Sequence, residues 1–282
     1  MLEYPVMLEK SSAATSPGKK AERFSTMSTL TTGISGNVLR ITFNRPDSLN
    51  AFTGPMLGEI TELIDKHGQD DNVRVIVLTG TGRAFSSGAD LAEVNAGANL
   101  GTETLDNANA TIRAIRRVPK PVVAAVNGPA AGVAASIALA ADLTVAAESA
   151  YFLLAFATIG LMPDGGATAL VPAAVGRARA VRMAMLGERI GARTAEEWGM
   201  ITQAVADDEF QTAVDGLVAK LATGPTAAYA AMKRAFDATA LAHLEAALEI
   251  EREGQVALFD TADFAEGTAA FVEKRRPRFL GR

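Results

Sequence analysis

The 282-residue chain contains no cysteine. That absence excludes disulfides, a thiol nucleophile and thiolate metal sites, and it suits a reducing cytoplasm, where we expect the protein to work. Histidine is scarce. His67 precedes Gly68 and His243 stands in a helical stretch; neither has companions at ligand or triad spacing, so both read as solvated helix-end residues and no metal is expected. An excess of positive charge is missing too. The formal net charge is −5, which argues against nucleic acid as a partner. Basic residues are scattered except for Lys274-Arg275-Arg276 and Arg278, a cluster that fits a phosphate group better than a duplex. Phosphate-loop lysines are absent. Gly80-Thr81-Gly82-Arg83-Ala84-Phe85 begins like a dinucleotide fingerprint, but Phe85 occupies the third glycine position. Ser86 and Ser87 lack the sequence of a nucleophile elbow.

With one Trp, three Tyr, 49% hydrophobic and 21% charged residues, the chain reads as an alanine-rich soluble protein long enough to bury a substantial core. Pro121 to Ala141 is uncharged over a length that spans a bilayer, yet Asn127-Gly128-Pro129 interrupts it. Strand, turn and buried helix is the better reading, and no membrane is expected as a partner. Met1 to Met27 mixes Ser, Ala, Thr and Lys without a long apolar core, and Glu3, Glu9 and Glu22 disfavour a transit peptide. We expect residues 1–27 to be a disordered extension.

What the chain does have is apolar strand-like runs that break at glycines and give way to helix formers. Val75-Ile76-Val77-Leu78-Thr79 leads into Arg83-Ala84-Phe85-Ser86-Ser87-Gly88-Ala89-Asp90-Leu91, and Val122-Val123-Ala124-Ala125-Val126 leads into Asn127-Gly128-Pro129-Ala130-Ala131-Gly132. Such junctions leave backbone N–H groups free, and two facing each other hold a developing oxyanion without any side chain. Strands are expected at Asn37–Phe43, Val73–Thr79, Val122–Val126 and Leu143–Ala147, with helices at Gly54–Lys66, through Ile112 and Ile115, and at Gly132–Ala141. Asn95 to Gly101 looks like a mobile loop. Helical patterns then run through Ala228–Ala238, Leu241–Leu258 and Phe264–Phe271. Alternating strands and helices imply crossover units and a largely parallel sheet.

From about Ser35 to the C-terminus the sequence resembles the crotonase, or enoyl-CoA hydratase/isomerase, superfamily. The resemblance rests on Asn44-Arg45-Pro46 with Leu49-Asn50-Ala51, on the segments at 85–90 and 127–132, and on Ile159-Gly160-Leu161-Met162-Pro163-Asp164-Gly165-Gly166. It continues through Gly187-Glu188-Arg189-Ile190 with Ala192, Trp198-Gly199-Met200-Ile201 and Phe271-Val272-Glu273-Lys274-Arg275. It implies an α/β fold: a crotonase-like spiral of repeated strand-strand-helix units, here an acyl-CoA-binding core over 28–222, followed by a helical oligomerisation region over 223–282. It also implies an acyl-CoA thioester substrate, no separate cofactor because CoA is part of that substrate, and assembly into homotrimers or hexamers.

Carried over residue by residue, the resemblance makes the amides of Ala89 and Val133 the pair that holds the thioester oxygen. Ser87, Ala89, Asp90 and Leu91 line the CoA adenine and pantetheine, and Lys274 approaches the nucleotide end, often from a neighbouring subunit. Ala92 replaces a lysine common in relatives. The two glutamates of a hydratase fall on Ser136 and Phe156, so both carboxylates are absent. What remains is Asp164, the position of the single acid in the enoyl-CoA isomerase branch, where one group moves a proton from C2 to C4. The alternative for Asp164 is a cap on the helix opening at Gly165; Asp142 and Glu148 are assigned to solvation or capping. The leading expectation is an enoyl-CoA isomerase. A hydratase with unusual residues, or a non-catalytic acyl-CoA-binding subunit, are the alternatives.

Overall fold

The computed structural model describes residues 29–91 and 102–282. The extension expected at 1–27, the loop expected at 95–101 and Ala92 lie outside the described residues. Strands are β1 (Leu30–Ser35), β2 (Val38–Phe43), β3 (Val75–Gly80), β4 (Val122–Val126), β5 (Ala130–Ala131), β6 (Leu143–Ala147), β7 (Tyr151–Leu153), β8 (Ile190–Gly191) and β9 (Gln203–Val205). Helices are α1 (Gly54–Gly68), α2 (Thr102–Arg117), α3 (Val133–Ala140), α4 (Ala167–Val175), α5 (Arg177–Leu186), α6 (Ala192–Glu197), α7 (Phe210–Thr223), α8 (Thr226–Ala240), α9 (Leu244–Phe259) and α10 (Ala262–Val272).

Six strands form one sheet in the order β1-β2-β3-β4-β6-β9, and three form a second in the order β5-β7-β8. From β2 to β9 the large sheet is parallel. The chain alternates between the sheets: β4 is followed by β5 and α3, and β6 by β7 and then α4 and α5. The same step follows β3, where Ser86 bridges Ala130 of β5. This is the spiral of strand-strand-helix units that the resemblance implied.

Period-two alternation sorts the fully buried strands onto two cores. Ile76, Leu78, Val122, Ala124 and Ala146 face the main core with α1, α2 and α3. Val75, Val77, Val123, Ala125, Val145 and Val205 face the other way, against Val214, Val218 and Leu221 of α7. β1 was not expected. It pairs antiparallel with β2 in a register that ends at Ser35 opposite Val38, across Gly36-Asn37 at φ 57° and 66°. Both values are left-handed, the backbone that joins hairpin strands in a two-residue turn.

One sequence expectation about charged groups is overturned here and a second is qualified. Asp142 is neither a cap nor a solvated acid: it accepts from Val122 N at 2.8 Å and pairs with Arg116 at 3.0 Å and Lys233 at 2.8 Å. Lys233 is buried and also donates to Ile115 O, so this cluster fastens α8 to the end of β4. His67 is only partly solvated, its side chain 17% exposed. It lies at the end of α1 with Nδ1 buried and without a hydrogen bond among the described residues, 3.8 Å from Asp70. His243, by contrast, is exposed at the start of α9.

Candidate active site

The site begins where β2 ends. A short 3-10 turn at Pro46–Ser48 leads into Leu49 and Asn50, both left-handed at φ 52° and 57°. Asn50 is fully buried, and its amide donates to Thr81 O at 2.9 Å and Ala84 O at 2.8 Å while Oδ1 accepts from Arg45 N at 2.9 Å. It thereby ties the turn to the loop after β3. Behind that loop, Phe43 packs edge-to-face on Phe52 and Phe85, with centroids 4.9 and 5.1 Å apart.

The register of the loop decides where Ala89 points. Phe52 N donates to Gly88 O at 2.7 Å and Asp90 N donates to Phe52 O at 2.9 Å, so the bridge takes the carbonyl before Ala89 and the amide after it and turns the Ala89 N–H away. Arg45 closes the arrangement, 2.8 Å from Asp90. Across from it, Ala131 N donates to Ser86 O at 3.1 Å and Gly132 N to Leu153 O at 2.9 Å. Val133 then opens α3, where a first-turn amide has no carbonyl within its helix to bond. The two segments touch at Gly88: with φ at 92°, a Cβ there would lie 2.6 Å from Ala131 O, so only glycine permits the approach.

Ala89 and Val133 both line a cavity of about 660 Å³. The other catalytic and binding candidates line it too: Ser87, Asp90, Leu91, Asp164 and Lys274. Lys274 reaches the rim from the same chain, and it is exposed. Its neighbour Arg275 is occupied by Glu266 and Glu273. Much of the remaining wall is apolar, with Leu57, Leu105, Ala108, Phe156, Leu161 and Phe259.

Asp164 stands apart in this wall. Oδ2 accepts from Gln255 Nε2 at 2.8 Å, and Oδ1 is buried with no hydrogen bond among the described residues. Burial pushes the carboxyl up from 3.8 to about 7; the Gln255 hydrogen bond pulls the other way and the charge of Glu251 adds to the rise. The capping reading of Asp164 is overturned. The helix there is α4, and its first amides are held from α9: Glu251 Oε2 accepts from Gly166 N at 2.6 Å, and Oε1 from Thr168 N at 2.7 Å and Thr168 Oγ1 at 2.6 Å. Burial raises the Glu251 carboxyl as well, against those hydrogen bonds.

Ser136 is fully buried and donates from Oγ to Asp164 O at 2.7 Å. It fastens the Asp164 backbone to α3. Phe156 does line the cavity, with an aromatic ring where a second acid would be needed. Glu251 and Gln255 were not found from the sequence. The available signal was that both fall on the buried stripe of α9 with Leu244 and Leu248, polar side chains where an amphipathic helix calls for apolar ones.

The chain matches the model of the enoyl-CoA hydratase/isomerase family over residues 33–282. It belongs to that family. Among relatives of this enoyl-CoA hydratase/isomerase family member, a protein of Rhodobacter capsulatus named probable enoyl-CoA hydratase is 47% identical over 250 residues, covering 88% of this chain and 96% of that one. A 1,2-epoxyphenylacetyl-CoA isomerase of Escherichia coli is 40% identical over 250 residues, covering 87% and 95%. The crystal structure of an enoyl-CoA hydratase from Mycobacterium avium subsp. paratuberculosis superposes with a TM-score of 0.84 at 45% identity, covering 90% and 99%. Family membership accounts for the spiral fold. The two relatives just named divide between hydration and isomerisation.

Proposed function

We propose that the protein is an acyl-CoA enzyme that shifts a carbon–carbon double bond, with Asp164 as the sole acid and base. The observation that carries this reading is one carboxyl, raised to about 7, in a largely apolar stretch of cavity wall. The thioester oxygen lies between the amides of Ala89 and Val133. Their partial positive charge stabilises the enolate that forms when a C2 proton leaves, and each such donor is worth about 3 kcal/mol of barrier. Asp164 in its charged form takes that proton from C2 of a 3-enoyl thioester and, now neutral, returns it at C4. The double bond moves to C2–C3, and the carboxylate is regenerated. A pKa near the working pH keeps both forms populated, which is what one group acting in both directions requires.

Hydration asks for more. It needs a positioned water as well as a proton donor, and the two positions that would supply carboxylates are Ser136, spent on the Asp164 backbone, and Phe156. The remaining acids of the wall serve otherwise: Asp90 pairs with Arg45 and Asp47 is exposed at the rim. Ser87, Asp90, Leu91 and Lys274 bind the CoA portion, Lys274 through its charge at a phosphate. A crystal structure with an unreactive acyl-CoA analogue tests the assignment. We expect its carbonyl oxygen within hydrogen-bond distance of both amides and Asp164 facing C2 to C4; a carbonyl out of reach of both amides would overturn it.

A further inference from the structure

Gln255 has no part in capping α4, where Glu251, one turn earlier on α9, accepts from Gly166 N and Thr168 N. It is nevertheless buried, 1% exposed, and it makes contacts of opposite kind at its two ends. Met162 N donates to its Oε1 at 3.3 Å, while its Nε2 donates to Asp164 Oδ2 at 2.8 Å. A backbone N–H only donates, so Met162 fixes which end of the amide is the carbonyl and leaves the NH₂ end for Asp164. The contact is prepared by the residue before it. A Cβ at Gly254 would lie 2.2 Å from Met162 Sδ, so the Met162 side chain packs directly on the glycine that precedes Gln255.

We propose that Gln255 is a positioning residue, an amide locked with its donor toward Asp164, which orients that carboxyl and favours its charged form. The proposal rests on the reading of Asp164 as the acid and base. A donor to a carboxylate stabilises the charged state more than the neutral one. Without it, burial and the repulsion from Glu251 act unopposed, and the base form is depleted at neutral pH. Around Asp164 the only other charged group of α9 that bears on it is Glu251. α3 contributes the neutral Ser136, and the charged groups elsewhere on the cavity wall are Asp47, Arg83, Asp90 and Lys274.

The test compares Gln255→Met, which keeps the bulk and removes the donor, and Gln255→Glu with the unaltered protein, each checked for folding by circular dichroism. The first readout is the titration of the Asp164 carboxyl by carbon-13 NMR, its signal assigned by disappearance in Asp164→Asn; this needs no turnover. In Gln255→Met we expect the midpoint to rise by about one pH unit, the scale of one hydrogen bond to a charged group. In Gln255→Glu we expect two coupled steps in place of one. The second readout is the pH profile of kcat/KM for isomerisation. For Gln255→Met it should fall about tenfold at pH 6 and recover above the new midpoint, with KM little changed. A shifted titration without isomerisation in any variant would refute the functional reading and support the positioning role. An unchanged midpoint in folded Gln255→Met overturns the proposal.

Discussion

Replacing Asp164 by Asn should make the protein more stable at neutral pH while nearly abolishing turnover. In the folded chain the carboxyl is raised from 3.8 to about 7. Between those values the native state holds a proton that the unfolded chain has released, so stability falls as pH rises from about 4 to about 7. Above pH 7 the cost of keeping the charge buried is fully expressed. Three pH units correspond to about 4 kcal/mol. Asn has nearly the same shape, still accepts from Gln255 through its oxygen, and carries no charge at any pH. The variant should therefore match the wild type near pH 4 and exceed it at pH 8, by on the order of 10 °C in Tm if the whole 4 kcal/mol is recovered. Differential scanning calorimetry at the two pH values reads this directly. Isomerisation by the same variant should drop at least about a hundredfold, with CoA-ester binding retained. A stability difference that does not change with pH, or near-normal turnover, would refute the reasoning.

Gly88→Ala forces a left-handed residue's Cβ to within 2.6 Å of Ala131 O; we expect a loss of about 1–3 kcal/mol in urea unfolding and a fall in kcat/KM of at least about tenfold, because the Ala89 amide moves. Asp142→Ala leaves Lys233 buried without its carboxylate and should cost about 3–5 kcal/mol, read as a lower urea midpoint. Light scattering at micromolar concentration should return the trimers or pairs of trimers that the family resemblance implies, with Met232, Phe236, Phe271, Val272 and Leu280, exposed on the described surface of one chain, as packing surface; a monomer would contradict this.

Much of the site could be read because its parts are local in sequence. The glycine junction at Gly88-Ala89 lies in the loop that follows an apolar strand, and Pro163-Asp164-Gly165 carries its own turn chemistry. What made Asp164 unusual could not be read that way. Gln255 and Glu251 lie far along the chain, on a helix whose charged residues otherwise face outward, and only packing brings them to the 162–168 segment. The same holds for Asp142: an acid after an alanine helix suggests a cap until Arg116 and Lys233 are seen around it. β1 was missed for a different reason. Its six residues carry Gly33 and the adjacent pair Thr31-Thr32 between Leu30 and Ile34, so no apolar alternation marks the strand.

One preparation offered both substrates tests the central claim most directly. A 3-enoyl-CoA and a 2-enoyl-CoA of the same chain length are followed at the absorbance of the conjugated thioester, which rises on isomerisation and falls on hydration. A single carboxyl serving two carbons predicts rapid gain of signal from the first and loss from the second at least about a hundredfold slower. Hydration as fast as isomerisation would contradict it.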